Sequence, residues 1–285
     1  MSLAVLRLAA VLYAAASAGY LVFFARPRHA GAARLGFWFL VAAFTAHLAA
    51  IGLGCKEFHG LEFFSLRGGV VLMSCTIVGA YLLVQRFYHL PTVGAFATPL
   101  ALFILVPTLF GEGAGGQQVS RETARNPALT FHVFAAAGGI ALFAIAFGVA
   151  LMYVLQEREV KGKRFGALFS RLPPLQSLDQ LTQRLVRLGF VVYTVALLAG
   201  GFTARVVWKV GWHLDPQVLV SLIIWFLYGG LVQLRHAGWH GRRYALLTMV
   251  GFALVMSTWL SLRVIPGLTL HAGTYAPPQD PGGAQ

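Results

Sequence analysis

The sequence predicts an all-α membrane protein, a polytopic helical bundle of about eight transmembrane helices with both termini on the outer side. Three observations predict it. The 285 residues are 58% hydrophobic and only 11% charged, whereas a soluble domain carries about 25% charged residues. Eight apolar runs approach the roughly 20 residues of helix that cross a hydrocarbon core. The cations collect in alternate turns between those runs, with 14 of the 22 Lys and Arg on one side, and that bias marks the cytoplasmic face.

The runs follow one another with short breaks. The first, 3–24, ends before Arg26, Arg28 and Arg34. It begins almost at Met1 and reads as a retained span, because no small-residue cleavage site leads into a polar mature chain. The second is 35–54, followed by the polar-aromatic CKEFHGLEFFSLRGG; the third is 70–88 and the fourth 92–110. A Gly-rich loop, 111–127, precedes the fifth run at 128–155. Then comes the most basic segment, 156–184, in which Phe165, Leu168, Phe169 and Leu172 recur at helical spacing among cations. That pattern predicts a short amphipathic helix lying on anionic headgroups. The sixth run is 186–207, the seventh 218–234 and the eighth 244–265. Residues 1–271 therefore read as one membrane domain, and the Pro/Gly-rich 272–285 as a disordered tail.

Other classes fall away. The net charge of +13 is spread between apolar runs and not gathered on a polar module, so nucleic acid is not a partner; the lipid bilayer is. Cys55 and Cys75 form no CxxC pair, which excludes a zinc ribbon, a redox pair and a haem-attachment motif. GEGAGG lacks the Lys-Ser/Thr ending of a phosphate loop. The pairs Gly138-Gly139, Gly200-Gly201 and Gly229-Gly230 fall inside runs and predict close helix packing.

The stretch between the sixth and seventh runs, WKVGWHLDPQ (208–217), carries the strongest chemical signal. Aromatic faces beside an imidazole suit a large, flat, apolar ligand such as haem. The same residues also suit a membrane-interface loop, where Trp is enriched. Asp215-Pro216 fits a helix start, Asp as the cap and Pro in the first turn. Among the histidines, His47 lies mid-run in FTAHLAAIG, where an ionisable group must either bond another helix or hold a ligand. His132 and His271 border the fifth and eighth runs on the outer side, level with Trp208 and Trp212. Two imidazoles approaching an aromatic pocket from opposite sides suit axial ligation of haem iron. His59 and His213 are second-rank candidates on the same side. His29, His89, His236 and His240 lie beside arginines, where headgroup contact accounts for them.

WKVGWHLDPQVLVSLIIWFLYG resembles the tryptophan-rich signature of the cytochrome c assembly family, the haem-handling membrane proteins that include CcsA and HemX. Trp208, Trp212, Asp215, Pro216, Ser221, Leu222, Ile223, Trp225 and Tyr228 stand at its positions without a gap. FHVFAAAGGIALFAIAFGVALMYVLQERE, GWHGRRYALLTMVGFA and PGLTLHAGTY resemble three further family segments in the same order, so the resemblance covers about 128–275. It implies a multi-pass protein of the bacterial inner membrane that binds haem b and serves cytochrome c biogenesis. His132 and His271 would be axial ligands of the haem iron, Trp208 and Trp212 would pack on the porphyrin, and Asp215 would shape the loop. His47 matches one of a second, intramembrane histidine pair; the expected partner position, near Gln233 and His236, is not matched. The implied partners are haem, an apocytochrome c that supplies its own thiols, and a membrane assembly protein. Component status in a haem-lyase (synthetase) system is in question, because His213, Leu214, Gln217 and Val218 depart from the pattern. Those departures resemble the HemX branch, which implies a regulator of haem biosynthesis acting on glutamyl-tRNA reductase levels. A small-solute transporter is the remaining alternative, and it requires a polar path through the spans.

Overall fold

The computed structural model describes residues 1–26, 29–57, 66–110, 126–163, 169, 171–208 and 216–264, with the side chains of 30, 66, 206–208 and 258–264 outside the description. Among the described residues the chain forms eight α-helices and no strand. They are α1 Ser2–Ala25, α2 Ala30–Glu57, α3 Leu66–Tyr88, α4 Pro91–Leu105, α5 Pro127–Lys161, α6 Leu175–Trp208, α7 Pro216–His236 and α8 Arg242–Val264. Their order matches the eight apolar runs. The first seven are long and apolar enough to cross a membrane. At 23 residues, α8 rises about 34 Å, enough for a core about 30 Å thick.

The helix ends show why each run stops where it does. Pro91 opens α4 in its first turn, where a missing N–H leaves no bond unmade. At the other end Pro107 cannot continue the ladder, and the chain tightens into a 3-10 turn, Val106–Leu109. The Leu109 carbonyl there accepts from Arg7 Nη2 of α1 at 3.3 Å. Asn126 caps α5, its side chain accepting from the Ala128 N–H at 3.0 Å, with Pro127 in the first turn. Pro216 opens α7 as the Asp-Pro pair predicts; Asp215 itself lies outside the described residues.

Glycines set the closest approaches. A Cβ on Gly19 would stand 2.9 Å from the Ala32 carbonyl oxygen and 2.9 Å from Gly36 Cα, so α1 and α2 cross backbone to backbone. On α5, a Cβ at Gly139 would stand 3.0 Å from Tyr193 Cβ of α6. Of the three predicted glycine pairs one member each makes such a contact: Gly139, Gly200 and Gly229. The bundle divides into α1–α4 and α5–α8, and α3 and α4 pack on α5 to join the halves. Phe143 of α5 stacks on Tyr228 of α7, with centroids 3.5 Å apart and planes 10° from parallel.

The basic segment is corrected by the structure. α5 and α6 are 35 and 34 residues long, about 50 Å each, so both project well past a bilayer core. Residues 156–161 and 175–184 are therefore helix, not a surface segment. Leu172 is buried in the core alongside Leu178, Leu181 and Leu185, not laid on headgroups. Phe165 and Leu168 lie outside the described residues. An ion pair locks the projecting end. Arg235 of α7 grips Asp179 of α6 through two bonds, at 3.0 and 2.7 Å, and the Gly241 N–H donates to the same carboxylate at 3.0 Å. Arg184 donates to the Tyr88 hydroxyl at 3.0 Å, which joins the two halves on this basic face. Contacts of Arg7 with Leu109 and of Ser2 with Glu57 define the opposite, loop face.

With side chains only 16% and 10% exposed, Asp179 and Arg235 are largely desolvated, and removing one partner of such a pair costs about 3 kcal/mol or more. Asp179→Ala is expected to lose that much in denaturant unfolding in micelles. The double variant Asp179→Leu/Arg235→Met is expected to lose less than the single. A double variant less stable than the single would contradict the assignment.

Candidate functional site

Two of the predicted site histidines are described, and they sit in different halves of the bundle. His132 is on the second turn of α5. Its ring lies against α6, with Nδ1 2.6 Å from the Ala196 carbonyl oxygen. A carbonyl can only accept, so Nδ1 carries a proton, and in the neutral ring the lone pair is then on Nε2. This is the arrangement of a metal-ligating imidazole, whose other nitrogen is held by a backbone carbonyl. Gly200 makes the seat: a Cβ there would come within 2.6 Å of His132 Cε1 and 2.7 Å of Nδ1. The glycine pair at 200–201 signals helix packing in the sequence; in the structure one of its members accommodates the imidazole.

His132 is half-buried, two helical turns inside the end of α6, and is not level with Trp208. Eight residues separate Gly200 from Trp208, about 12 Å of helix. Trp208 closes α6, and its side chain lies outside the description. Trp212, Asp215 and His271 lie outside the described residues, as do His59 and His213. The structure thus places His132 just below the opening of the 208–217 stretch and says nothing about how the other four members of the predicted site meet it.

His47 is wholly buried among α1, α2 and α3. Its Nδ1 is 3.0 Å from the Tyr13 hydroxyl, with the two rings edge-on. Its Nε2 is buried and reaches no partner at hydrogen-bonding geometry; the Val71 backbone of α3 lies on that side. An unpaired polar atom in a protein interior is uncommon and needs an explanation. Among the described residues no second histidine faces it: Gln233 and His236 are exposed near the basic end of α7. Among the described residues no group of three His, Cys, Asp or Glu could hold a metal ion. His29, His236 and His240 are exposed on the basic face, and His89 turns the chain between α3 and α4 at φ 51°.

Sequence reasoning missed Tyr13. The signal was available: Tyr13, Ser17 and Tyr20 recur at i, i+4 and i+7 on one face of α1 and are all buried. A phenol inside a span needs a polar partner, and His47 is the one ionisable group midway along the next run.

The sequence model described as "Cytochrome C assembly protein" matches residues 64–269. The match extends well upstream of 128, where the motif resemblance begins; His47 and His271 fall outside it. A curated relative named "Cytochrome c biogenesis protein CcsA" from Prochlorococcus marinus (strain MIT 9303) is 26% identical over 227 residues, 70% of either chain. One of the same name from Parasynechococcus marenigrum (strain WH8102) is 27% identical over 226 residues, 70% of this chain and 72% of the relative. One from Gloeobacter violaceus (strain ATCC 29082 / PCC 7421) is 38% identical over 101 residues, 35% and 30% of the two chains.

Gly200→Ala tests the seat of His132. The added methyl must displace the ring, and the bond to the Ala196 carbonyl goes with it. Overpacking of this kind costs about 1–3 kcal/mol. Nitrogen-15 histidine NMR in micelles is expected to show one slowly exchanging Nδ1–H signal that His132→Ala and Gly200→Ala both remove. A signal unchanged in Gly200→Ala would show that the notch is not needed.

Proposed function

The chain belongs to the cytochrome c assembly protein family, and from that membership we propose that it binds haem b on its loop face and presents it for cytochrome c biogenesis. The observation that carries the proposal is the clamp on His132. A carbonyl fixes its tautomer, a glycine fixes its place, and the helix it leans on runs straight into the tryptophan stretch. The donor set fits the group: a neutral imidazole with its lone pair on Nε2 is a normal axial ligand of haem iron, and the other ring nitrogen already has the carbonyl partner that ligating histidines take. Bound haem would supply the vinyl groups and the iron; the protein's part is to hold, orient and shield it.

In this reading His132 and His271 are the axial ligands. Trp208 and Trp212 lie on the porphyrin, and Asp215 shapes the loop between α6 and α7. The basic face, with most of the Lys and Arg, is cytoplasmic, so the haem face and both termini lie outside the bacterial inner membrane. Thioether chemistry draws on the thiols of apocytochrome c and on a partner membrane protein. His47 is a holding point for haem inside the bundle.

The HemX-like alternative, a regulator of haem synthesis, rests on His213, Leu214, Gln217 and Val218 and needs segment 156–184 as a docking surface. Much of that segment is helix pinned by Asp179 and Arg235, with Leu172, Leu178 and Leu181 turned inward, and this favours the haem-presenting reading. The transporter alternative needs a polar path. Most buried hydroxyls instead close onto carbonyls of their own helix, as Thr98, Thr182, Thr203 and Thr248 do.

The test is an absorption spectrum of protein purified in detergent from haem-replete cells. A Soret band with low-spin bis-histidine features is expected, and His132→Ala or His271→Ala should abolish those features. Haem-free protein with no affinity for added haemin would overturn the proposal.

A further inference from the structure

The two halves of the bundle meet over α5, and on the basic face they leave a crevice between α3 and α6. Each of these helices packs on α5, but they make few contacts with one another. Arg184, at the level where the apolar run of α6 begins, reaches across the gap. Its Nη1 donates to the Tyr88 hydroxyl at the end of α3 at 3.0 Å, and its guanidinium carbon lies 5.7 Å from the centre of that ring. Arg187 follows Arg184 by about one turn of α6, and Arg86 stands on the last turn of α3. All three arginines are exposed. Among the described residues no acid pairs with any of them: Asp179 is taken by Arg235, and Glu157 by Lys161 and Arg242. Toward the bilayer centre the walls turn apolar. Leu83 and Phe87 of α3 and Leu188 and Val191 of α6 are all exposed. Leu188 and Val191 follow Arg184 at i+4 and i+7, on its own face of the helix.

We propose that this crevice binds one anionic phospholipid. Its phosphate is held by Arg184, with Arg187 and Arg86 at the rim, and an acyl chain lies along Leu188 and Val191 against Leu83 and Phe87. The positive-inside bias puts cations on this face whatever they touch. What sets Arg184 apart is that its place is fixed. Tyr88 accepts one of its N–H groups and lies beside the guanidinium, so the ordering that a free arginine would need on binding is already done. The rest of the planar fork is left for phosphate oxygens. A basic pocket between spans, at the membrane boundary, is the setting in which anionic headgroups are recognised. A free phosphate would find the cations but gain nothing from the apolar walls, which select an amphiphile. A zwitterionic phospholipid fits the same walls but brings a cation of its own, which the three arginines repel. The bound lipid touches both halves of the bundle and adds to a junction otherwise made by α3 and α4 on α5. The site is independent of haem and of the loop face.

The experiment is native mass spectrometry of the full-length protein, released from detergent micelles loaded with equal amounts of phosphatidylglycerol and phosphatidylcholine. The protein is expected to retain one phosphatidylglycerol in preference to phosphatidylcholine. An arginine near an anionic headgroup is worth about fivefold in affinity, so Arg184→Gln and Arg187→Gln should each lower the phosphatidylglycerol complex by about that factor and leave the phosphatidylcholine signal unchanged. Arg243→Gln removes a cation of α8 that lies over Trp239, outside the crevice walls, and should change neither lipid. Inorganic phosphate should not displace the phosphatidylglycerol. Equal retention of the two lipids by the unsubstituted protein overturns the proposal. So does a loss in Arg243→Gln as large as that in Arg184→Gln, which would mark a diffuse attraction of the whole basic face. Displacement by inorganic phosphate overturns it too, because the apolar walls would then play no part. Among the described residues Arg187 makes no hydrogen bond or ion pair, so Arg187→Gln serves where Arg184→Gln fails to fold, and undiminished phosphatidylglycerol binding in it counts against the site.

Discussion

A hydrocarbon core offers no hydrogen bonds, and the arrangement of this bundle follows from that single constraint. The backbone meets it by closing into helices. Side chains meet it locally. Thr98, Thr182, Thr194, Thr203 and Thr248 each donate to the carbonyl four residues earlier. Other polar groups cross to a neighbouring helix. Ser74 of α3 donates to the Ala101 carbonyl of α4 at 2.8 Å, and Trp225 Nε1 of α7 donates to Thr194 of α6 at 2.9 Å. The Ser74 bond falls beside Pro99, in the part of α4 where the ladder is already interrupted. Among the described residues a few buried polar atoms stay without a partner, His47 Nε2 on α2, Ser17 Oγ on α1 and Thr92 Oγ1 on α4 among them.

The same scarcity of polar glue puts the burden of association on shape. Helices that cannot rely on hydrophobic expulsion must fit closely. Small residues serve this, Gly19 against Gly36 and Gly139 against Tyr193. α5 is the hub, in contact with α3, α4, α6 and α8, and it presents alanine, glycine and phenylalanine to them in turn. His132 uses one more such notch, at Gly200. A packing device used elsewhere for helix association thus holds a side chain in one tautomer here. The projecting ends of α5 and α6 lie beyond the core, where charges can be afforded, and there the bundle is fastened differently, by Asp179, Arg235 and Glu157.

Much of this was legible in the sequence because the bilayer imposes a length. Runs of about 20 apolar residues could be counted, and the eight helices follow them closely. The ends were less legible. Nothing in hydropathy says that 156–161 and 175–184 continue their helices, because a helix that leaves the membrane stops being apolar without stopping being a helix. Leu172 read as an amphipathic surface residue for the same reason: its partners are far away in sequence, and cations flank it. The site divides along similar lines. His132 and the start of α7 at Pro216 could be placed from position and local chemistry. The polar face of α1 carried a signal for Tyr13, but its partner could not be read, because the spacing within α1 does not reveal that His47 of α2 lies against it.

The two histidines differ in the group that holds their other nitrogen, and the difference bears on what each can do. His132 faces a carbonyl, which accepts and never donates, so Nδ1 keeps its proton. His47 faces a phenol, which does both. While Tyr13 donates to Nδ1, the proton sits on Nε2 and the imidazole cannot ligate. While Tyr13 accepts, Nε2 is open. Either state keeps the Tyr13–His47 bond. In the proposed function a carbonyl-backed imidazole suits a site that must hold iron steadily for a reaction partner. A phenol-backed one suits a site that must let its cargo go. The polar atom that seemed a defect in the packing of α1–α3 is then the open side of a two-state imidazole.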